Sequence, residues 1–407
     1  MLAGPVAQAE PHADAWRDAF QSSPADYDFV IPKGLELPPA ARERLRDRPP
    51  VTGTLRARFA VAIAGRRIRI RLSNEEGVQP LRVAAASIGL AAAGFDCEPG
   101  SIRPLTFGGR RFVTIQPGAP ALSDPIDLPV RAMTELVASV HVPDGLKLKP
   151  FGSALMAFAP SDQTASAKLA EADTIVGRPV VSGALVLGSN PPRIIVALGD
   201  SITDGNRAAL GELRGWPEQL QRRLLASRGS ARFAVVNAGI GGNRMLSTSW
   251  GKSALVRFDR DVGRITGISH VILLEGINDI GHGGSSPLLG DNPPLDVAEL
   301  IGGYRQIIAR AHAQGIRVIM GTLTPFKGGA SFNAERESQR AAVNRWIRTS
   351  GEPDGIIDFD AGLRDPADPL RLLTDYDSGD HLHPNEKGYR AMGDLVDLAL
   401  FEPRSGR

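Results

Sequence analysis

The chain has little cysteine: Cys97 is the single one in 407 residues, which excludes an intramolecular disulfide. It also leaves a cysteine-based metal site without its ligands. The chain also lacks an excess of one charge sign, because it has 47 basic and 45 acidic side chains and therefore a net charge of +2. This balance gives no electrostatic argument for nucleic acid as a partner. No apolar run approaches the ~20 residues that span a bilayer, so we expect no integral membrane association.

The N-terminus carries part of the pattern of an export signal. Residues 1–9 read MLAGPVAQA, and Ala7-Gln8-Ala9 fits a small-x-small cleavage site. A basic region and a full hydrophobic stretch are missing upstream of that site. We therefore expect residues 1–20 to be a tail, either the remnant of a signal peptide or a short disordered segment. The first alternative, which we favour, predicts a secreted or periplasmic protein, and the second allows a cytoplasmic one.

The chain changes character near residues 188–192, which predicts two domains. Upstream, residues 67–72 alternate arginine with apolar side chains, as a strand with one solvated face does. Short apolar runs separated by turn signals predict a β-sandwich-like accessory domain over 21–188, with residues 1–50 wrapped over its surface. The further runs are 81–88, 112–115, 136–142 and 180–187.

Downstream, over 192–403, strand-like and helix-like segments alternate. This alternation predicts an α/β domain of flavodoxin-like type, with a parallel five-stranded sheet and helices on both faces. In such sheets, functional residues collect at the carboxyl ends of the strands. The strand-like segments are 194–198, 233–236, 271–274, 317–320 and 355–357, and the helix-like ones are 216–227, 297–314, 334–349 and 385–400.

A candidate nucleophile follows the first of these strands. Ser201 stands in Gly199-Asp200-Ser201, where a strand stops and a helix starts. A serine hydroxyl becomes nucleophilic when a base accepts its proton, and a helix N-terminus presents free N–H groups that can hold an oxyanion. An isolated Gly-Asp-Ser is more often a plain helix cap, so the assignment depends on partners elsewhere in the chain.

The motif DHLHP at residues 380–384 offers such a partner. A catalytic imidazole needs a carboxylate on its other nitrogen, and the three-residue step from Asp380 to His383 allows one loop to supply both. His381 is an alternative base. A metal site is a third possibility, which no other His or Cys cluster in the chain supports.

Two further loops offer donors for an oxyanion. Residues 237–243 read NAGIGGN, and their glycines allow a backbone N–H to come close to a substrate. Residues 276–279 read GIND, where the side chain of Asn278 can donate an N–H. Each loop alone is typical of an ordinary turn. Together with the serine and the histidine, these loops place candidate catalytic residues after four strands, whose ends converge in this fold class.

This set, in this order, resembles the SGNH hydrolases, also called the GDSL esterase/lipase family. The resemblance implies that Ser201 is the nucleophile, His383 the base and Asp380 the residue that orients the base. It further implies an oxyanion hole built from the N–H groups of Ser201 and Gly242 and from the side chain of Asn278. Neither a metal nor an organic cofactor belongs to this chemistry.

Longer stretches resemble one branch of that family, whose members are typically bacterial and exported and carry a β-rich domain before the hydrolase. These stretches are GDSITDG at 199–205, GGNRML at 241–246 and YDSGDHLHP at 376–384. The resemblance covers the whole hydrolase part and extends to several upstream turns. The incomplete export signal is the departure from this pattern.

Five further residues are expected around the site. Asp204 and Asn243 are candidates to brace the nucleophile loop, although both are equally typical of turns. Arg244 is a candidate to meet an anionic or hydroxylated substrate group, with a surface ion pair as the alternative. Trp250 is a candidate wall of the substrate pocket, with plain packing as the alternative. His381 becomes a bystander at the pocket rim.

The reaction that the resemblance implies is acyl transfer through an acyl-enzyme, with short-chain and above all acetyl esters as substrates. A carbohydrate O-acetyl esterase acting on plant or microbial polysaccharide is the alternative, although the upstream region has few aromatic residues to stack on sugars. A lipase or thioesterase is less favoured, because no long apolar insertion could form a lid. An inactive carbohydrate-binding protein is the remaining class, against which the intact motif set argues. The sequence leaves the natural ester and the oligomeric state open.

Overall fold

The computed structural model describes residues 14–25, 50–148, 154–207, 215–227, 232–286, 290–291 and 293–402. The N-terminal part of the chain is built from strands. These are β1 Asp14–Gln21, β2 Val51–Ala60, β3 Gly65–Ser73, β4 Leu81–Val83, β5 Ala85–Leu90, β6 Arg103–Pro104, β7 Val113–Ile115, β8 Pro120–Leu122, β9 Ile126–Val130, β10 Glu135–Leu146, β11 Ala154–Ala159, β12 Asp173–Gly177 and β13 Val181–Ser189.

Two large antiparallel sheets and a two-stranded pair, β4–β7, make up this N-terminal part in the described residues. One has the order β1-β13-β3-β8, with β9 also pairing with β3, and the other has the order β12-β11-β2-β10-β5-β6. Alternate residues of β3, such as Ile68 and Ile70, share a buried apolar cluster with Leu136 and Val140 of β10. The β-rich N-terminal region that the sequence predicts is therefore confirmed.

The tail predicted for residues 1–20 is wrong from Asp14 onward. Residues 14–21 form a strand because they pair with β13, and Ala19 is buried in the core. The prediction that residues 1–50 wrap over the surface fails for the same segment. Residues 1–13, which contain the cleavage-site pattern, lie outside the described residues, as do residues 26–49.

The predicted solvated arginine face of β3 is also wrong over its second half. The Arg71 side chain is buried, and its Nη2 donates to Asp18 Oδ1 of β1 at 2.8 Å. Arg69 lies over the ring of Trp16, 5.2 Å from its centroid. The other oxygen of Asp18 accepts from the backbone N of Thr266 at 2.9 Å, in the C-terminal part of the chain. These arginines therefore face a contact between the two parts.

The apolar run 81–88 is divided between two strands. β4 pairs with β7, whereas β5 pairs with β10, so the chain changes sheets at Ala84. An apolar run of this length does not reveal such a change, because strand partners are set by distant residues.

The C-terminal part carries a parallel five-stranded sheet of order β15-β14-β16-β19-β20, which confirms the predicted α/β class. Strand β14, which lies between β15 and β16, is buried from Ile194 to Gly199. A short hairpin, β17–β18, lies outside this sheet. The strands are β14 Arg193–Gly199, β15 Phe233–Gly239, β16 Ile268–Leu274, β17 Ser285–Ser286, β18 Gly290–Asp291, β19 Arg317–Gly321 and β20 Gly355–Ile357.

Helices cover the two faces of this sheet. The described helices are α1 Ser201–Asp204, α2 Trp216–Ala226, α3 Ala254–Phe258, α4 Ile277–His282, α5 Val297–Ala313, α6 Ala334–Thr349, α7 Phe359–Leu363 and α8 Glu386–Leu395, with a π-helical turn at Asp259–Gly263 and 3₁₀ turns at Thr374–Tyr376 and Leu398–Phe401. α2 and α7 pack against α8, whereas α5 contacts α3 and α6. None of the described helices combines the length and apolar character that a bilayer crossing requires.

The helix predicted over 385–400 is too long. Val396 has extended backbone angles, and Asp397 begins a separate 3₁₀ turn by accepting a hydrogen bond from the N–H of Ala399. The apolar residues after Leu395 continue the helical spacing, but the side-chain cap of Asp397 competes with the helix for the backbone.

Glutamines join the two parts of the chain through backbone groups. Gln221 of α2 donates from Nε2 to the carbonyl of Ala62 at 3.1 Å and accepts from the N–H of Val235 at 2.7 Å. Gln21 of β1 donates to the carbonyl of Asp261 at 3.1 Å. Because these groups are buried, each bond satisfies a polar atom that separation of the two parts would expose.

Candidate active site

Ser201 is the first residue of helix α1, and only Asp200 separates it from the end of strand β14. Asp200 caps this helix, because its Oδ1 accepts from the N–H of Ile202 at 2.9 Å. The first N–H groups of a helix have no acceptor within it, so the N–H of Ser201 does not donate to a carbonyl of α1. Ser201 is buried, and its Oγ lies 2.8 Å from Nε2 of His383.

One loop holds His383 and Asp380 together. His383 Nδ1 lies 2.8 Å from Asp380 Oδ2, and the backbone N–H of His383 donates to Asp380 Oδ1 at 2.8 Å. The N–H of Leu382 donates to the same oxygen at 3.1 Å. Burial opposes ionisation of Asp380, but the hydrogen bond and charge of His383 outweigh it and hold the pKa of that carboxyl well below its usual range. Ser201, His383 and Asp380 thus lie in one chain of hydrogen bonds.

His381, the alternative base, has a carboxylate of its own. Its Nδ1 lies 2.5 Å from Oδ2 of Asp377, and its side chain is 40% exposed. The backbone φ of His381 is +61°, a left-handed conformation that non-glycine residues rarely adopt. The structure therefore places His381 beside Asp377 and places His383 beside Ser201. Asp377 was not identified from the sequence, although it stands four residues before His381.

The two candidate oxyanion loops lie side by side. Gly242 has a φ of +72°, and a Cβ added there would overlap the ring of Trp250, so glycine is required at this position. Asn278 is buried in α4, and its Nδ2 donates to the carbonyl of Asn243 at 2.9 Å. This bond joins the loop after β15 to the helix after β16. Trp250 therefore packs directly on the candidate oxyanion loop.

Asp279 fixes the far end of the same loop. Its two carboxylate oxygens accept from the backbone N–H groups of Met245 at 2.7 Å and Leu246 at 3.0 Å. Burial nevertheless raises the pKa of Asp279 to about 6. The segment directly after Gly242 is therefore held by neighbouring residues of α4, Asn278 and Asp279.

A fully buried arginine beneath the site was not identified from the sequence. Arg257 donates to the carbonyls of Ala238 at 2.6 Å and Gly199 at 2.9 Å, and to Asn243 Oδ1 at 2.9 Å. It also donates to Asp261 at 2.9 Å. Arg257 thus ties the ends of β14 and β15 to the loop that follows β15. Asn243 braces that loop through this contact, but no local pattern distinguishes Arg257 from the other arginines of the chain.

Glu275 adds a buried carboxyl beside Arg257. Its Oε2 lies 3.7 Å from Arg257 Nη2, and no hydrogen bond from the described residues reaches either of its oxygens. Burial raises the pKa of Glu275 well above its usual range, and Asp200 adds to the shift while Arg257 opposes it. Burial likewise raises the pKa of Asp200. Beneath the site, burial therefore raises the pKa of two neighbouring carboxyls, those of Glu275 and Asp200.

Arg244 and Asp204 occupy different surroundings from those of an exposed turn. Arg244 is 6% exposed and donates from Nη2 to the carbonyl of His282 at 3.3 Å, so the alternative of a surface ion pair is wrong. Asp204, the last residue of α1, accepts from Nη2 of Arg178 at 2.8 Å. Over the described ranges, no cluster of three or more His, Cys, Asp or Glu side chains could hold a metal ion.

Comparison with known proteins places this site in a family. Residues 197–391 match the family model of the GDSL-like Lipase/Acylhydrolase family. No curated protein matches the chain significantly.

Solved structures that resemble the chain each cover about half of it. A lipolytic protein of the G-D-S-L family from Desulfitobacterium hafniense is 20% identical, with 50% of this chain and 96% of that chain covered and a TM-score of 0.38. An acylhydrolase from Bacteroides fragilis is 21% identical, with 52% and 89% covered and a TM-score of 0.38. A catalytic mutant of an acetylxylan esterase from Geobacillus stearothermophilus is 20% identical, with 50% and 92% covered and a TM-score of 0.40.

The family model spans every strand end at which the site residues lie, from the residues just before Ser201 to those just after His383. Residues 197–391 of this chain therefore form a GDSL-like lipase/acylhydrolase domain, an ester hydrolase domain of the SGNH type.

Proposed function

We propose that this chain cleaves short acyl esters, above all acetyl esters, with Ser201 as nucleophile, His383 as base and Asp380 as the residue that orients the base. The proposal rests above all on the two contacts that link these residues, each of 2.8 Å: Ser201 Oγ to His383 Nε2, and His383 Nδ1 to Asp380 Oδ2. This is the order of groups that a serine nucleophile requires.

In the first step, His383 accepts the Ser201 proton while Oγ attacks the ester carbonyl. Asp380 stays ionised, in keeping with its low pKa, so it holds the imidazole in the tautomer whose Nε2 is free to accept. It then stabilises the imidazolium that forms. The alcohol leaves with the proton from His383, and the acyl group stays on Ser201.

An oxyanion hole of three donors accompanies this step in the proposal. The N–H of Ser201, the N–H of Gly242 and Nδ2 of Asn278 stabilise the negative oxygen of the tetrahedral intermediate. Asn278 Nδ2 donates one of its two hydrogens to the carbonyl of Asn243, and this bond fixes the direction of the second hydrogen. In the second step a water molecule attacks the acyl-enzyme, with His383 again as base, and releases the acid.

The preference for a short acyl group is supported by the packing of Trp250. Its ring lies against the Cα of Gly242, so a large side chain occupies space next to the proposed oxyanion hole. A short acyl group needs less of that space than a long one. The alcohol side of the ester is the point at which a carbohydrate O-acetyl esterase would differ from a general short-chain esterase. A panel of substrates decides between them.

The test begins with p-nitrophenyl esters of increasing acyl length and with acetylated sugars. We expect turnover to be highest for acetyl esters and a fluorophosphonate probe to label Ser201. Ser201→Ala and His383→Ala should each abolish turnover. His381→Ala is the matched control and should retain most of it, because His381 is held by Asp377. Absence of both labelling and turnover in the unmodified protein would refute the proposal, and equal loss in His381→Ala would refute the choice of base.

A further inference from the structure

An arginine of the N-terminal β-rich part reaches the catalytic part. Arg178 stands between β12 and β13, and its Nη2 donates to Asp204 Oδ2 at 2.8 Å and to the carbonyl of Gly239 at 3.1 Å. The side chains of Arg178 and Asp204 are 8% and 10% exposed, so this ion pair is withdrawn from solvent. One nitrogen atom thus bridges two separate segments of the hydrolase domain.

The two segments are those that carry the proposed nucleophile and a proposed oxyanion donor. Asp204 is the last residue of α1, which begins at Ser201, and Gly239 is the last residue of β15, three residues before Gly242. The segments touch directly, because a Cβ added to Gly239 would overlap the backbone of Asp204. Arg178 binds them at this contact from outside the domain.

We propose that Arg178 is a positioning residue of the active site, through which the N-terminal part sets the spacing between Ser201 and Gly242. This inference rests on the proposed function above. Without the guanidinium, the buried carboxylate of Asp204 loses a positive charge at 2.8 Å and the carbonyl of Gly239 loses a donor. The contact between α1 and the end of β15 then relaxes, and the two backbone N–H groups no longer point at one oxygen.

The expected consequence lies in kcat. Small displacements of groups that meet only in the transition state lower the rate by large factors, so we expect a fall of about 10- to 100-fold on loss of Arg178. KM should change little, because the two N–H groups stabilise the transition state more than the bound ester.

A second ion pair between the same two parts provides the matched control. Arg264 Nη1 lies 2.7 Å from Glu75 Oε1, and the Glu75 side chain is 8% exposed. Among the described residues, neither Arg264 nor Glu75 forms a hydrogen bond or an ion pair with α1 or with the loop after β15. Glu75→Gln therefore weakens the contact between the parts without altering the proposed oxyanion hole, which separates a general loss of stability from a loss of positioning.

The experiment compares Arg178→Gln, Arg178→Lys, Asp204→Asn and Glu75→Gln in the full chain. It measures kcat and KM with p-nitrophenyl acetate, the rate of fluorophosphonate labelling at Ser201, and unfolding in urea. We expect a lower kcat and slower labelling in Arg178→Gln and Asp204→Asn, partial recovery in Arg178→Lys, and an unchanged kcat in Glu75→Gln.

Two results would overturn the inference. One is a kcat in Arg178→Gln equal to that of Glu75→Gln. The other, decisive where Arg178→Gln does not fold, is a wild-type kcat in the folded Asp204→Asn protein. Turnover and labelling of the unmodified protein test the proposed function separately, so failure of one idea is distinguishable from failure of the other.

Discussion

Removal of the Asn278 side chain tests two roles of its amide, a structural hydrogen bond and the proposed donation to the oxyanion. Its Nδ2 donates one hydrogen to the carbonyl of Asn243 at 2.9 Å, and in the proposed mechanism it offers the other to the oxyanion. The first bond is between neutral groups and contributes about 0.5–1.5 kcal/mol to folding. The second meets a developing charge in a buried site, where one donor contributes about 2.7–4 kcal/mol to the transition state. Asn278→Ala should therefore lower kcat by about 10²–10³-fold.

The assay pairs kinetics with stability. We expect kcat for p-nitrophenyl acetate to fall while KM stays close to the wild-type value, because the oxyanion exists only at and near the transition state. Urea unfolding should show a loss of about 1 kcal/mol. Asn333→Ala is the control: Asn333 caps α6 by accepting from the N–H of Arg336 at 2.8 Å, so it should lose about 1 kcal/mol of stability and keep its kcat.

The refuting result is specific. If Asn278→Ala loses the expected stability but keeps kcat near that of Asn333→Ala, the amide stabilises the fold alone and is no oxyanion donor. A rise in KM that accounts for the whole loss of kcat/KM would assign Asn278 to substrate binding instead.

Three further predictions concern the same site. Gly242→Ala should be nearly inactive and unlabelled at Ser201, because the added Cβ overlaps the Trp250 ring; full labelling would contradict this. Asp380→Asn should lower kcat by about 10⁴-fold, since an amide does not hold the required imidazole tautomer; a loss below tenfold would argue against its role. Burial raises the pKa of the Glu275 carboxyl in the folded protein above its value in the unfolded chain. Below the unfolded-state pKa the carboxyl is protonated in both states, and its contribution to folding stability is complete. As the pH rises toward the folded-state pKa, the unfolded chain loses the proton first, and that contribution is lost. The stability of Glu275→Gln relative to wild type should therefore grow by up to about 1.4 kcal/mol per pH unit between about pH 5 and 7. Urea unfolding at both pH values checks this, and parallel pH profiles would contradict it.

The sheet of the hydrolase domain was predictable because its strands are buried on both faces. Runs such as Ile194–Leu198 are apolar throughout, and such a run indicates a buried strand even when its neighbouring strands are unknown. β1 was not predictable in the same way. Its sequence DAWRDAFQ is half polar, and it becomes a strand because β13 supplies a partner and Arg71 neutralises Asp18. The stabilising contacts come from residues far along the chain.

The same distinction holds at the site. The candidates Ser201, Gly242 and Asn278 each follow a strand, and parallel strands bring their carboxyl ends to one edge, so the sequence indicated which residues meet. Arg257 and Arg178 were not identifiable, because each acts by donating hydrogen bonds to carbonyls and carboxylates that come near it only after folding. Buried arginines of this kind have no local sequence signature.

The pairing of β1 with β13 has a consequence for the order in which the chain folds during synthesis. β13 lies between β1 and β3 in its sheet, so that sheet stays divided until residue 189 has left the ribosome. β14, which lies between β15 and β16 in the hydrolase sheet, begins only four residues later at Arg193. Until then β3 presents an open edge toward any other extended chain, and such edges are where nascent proteins aggregate. We expect nascent chains that have emerged from the ribosome only as far as residue 180 to depend on chaperones far more than those that have emerged beyond residue 200.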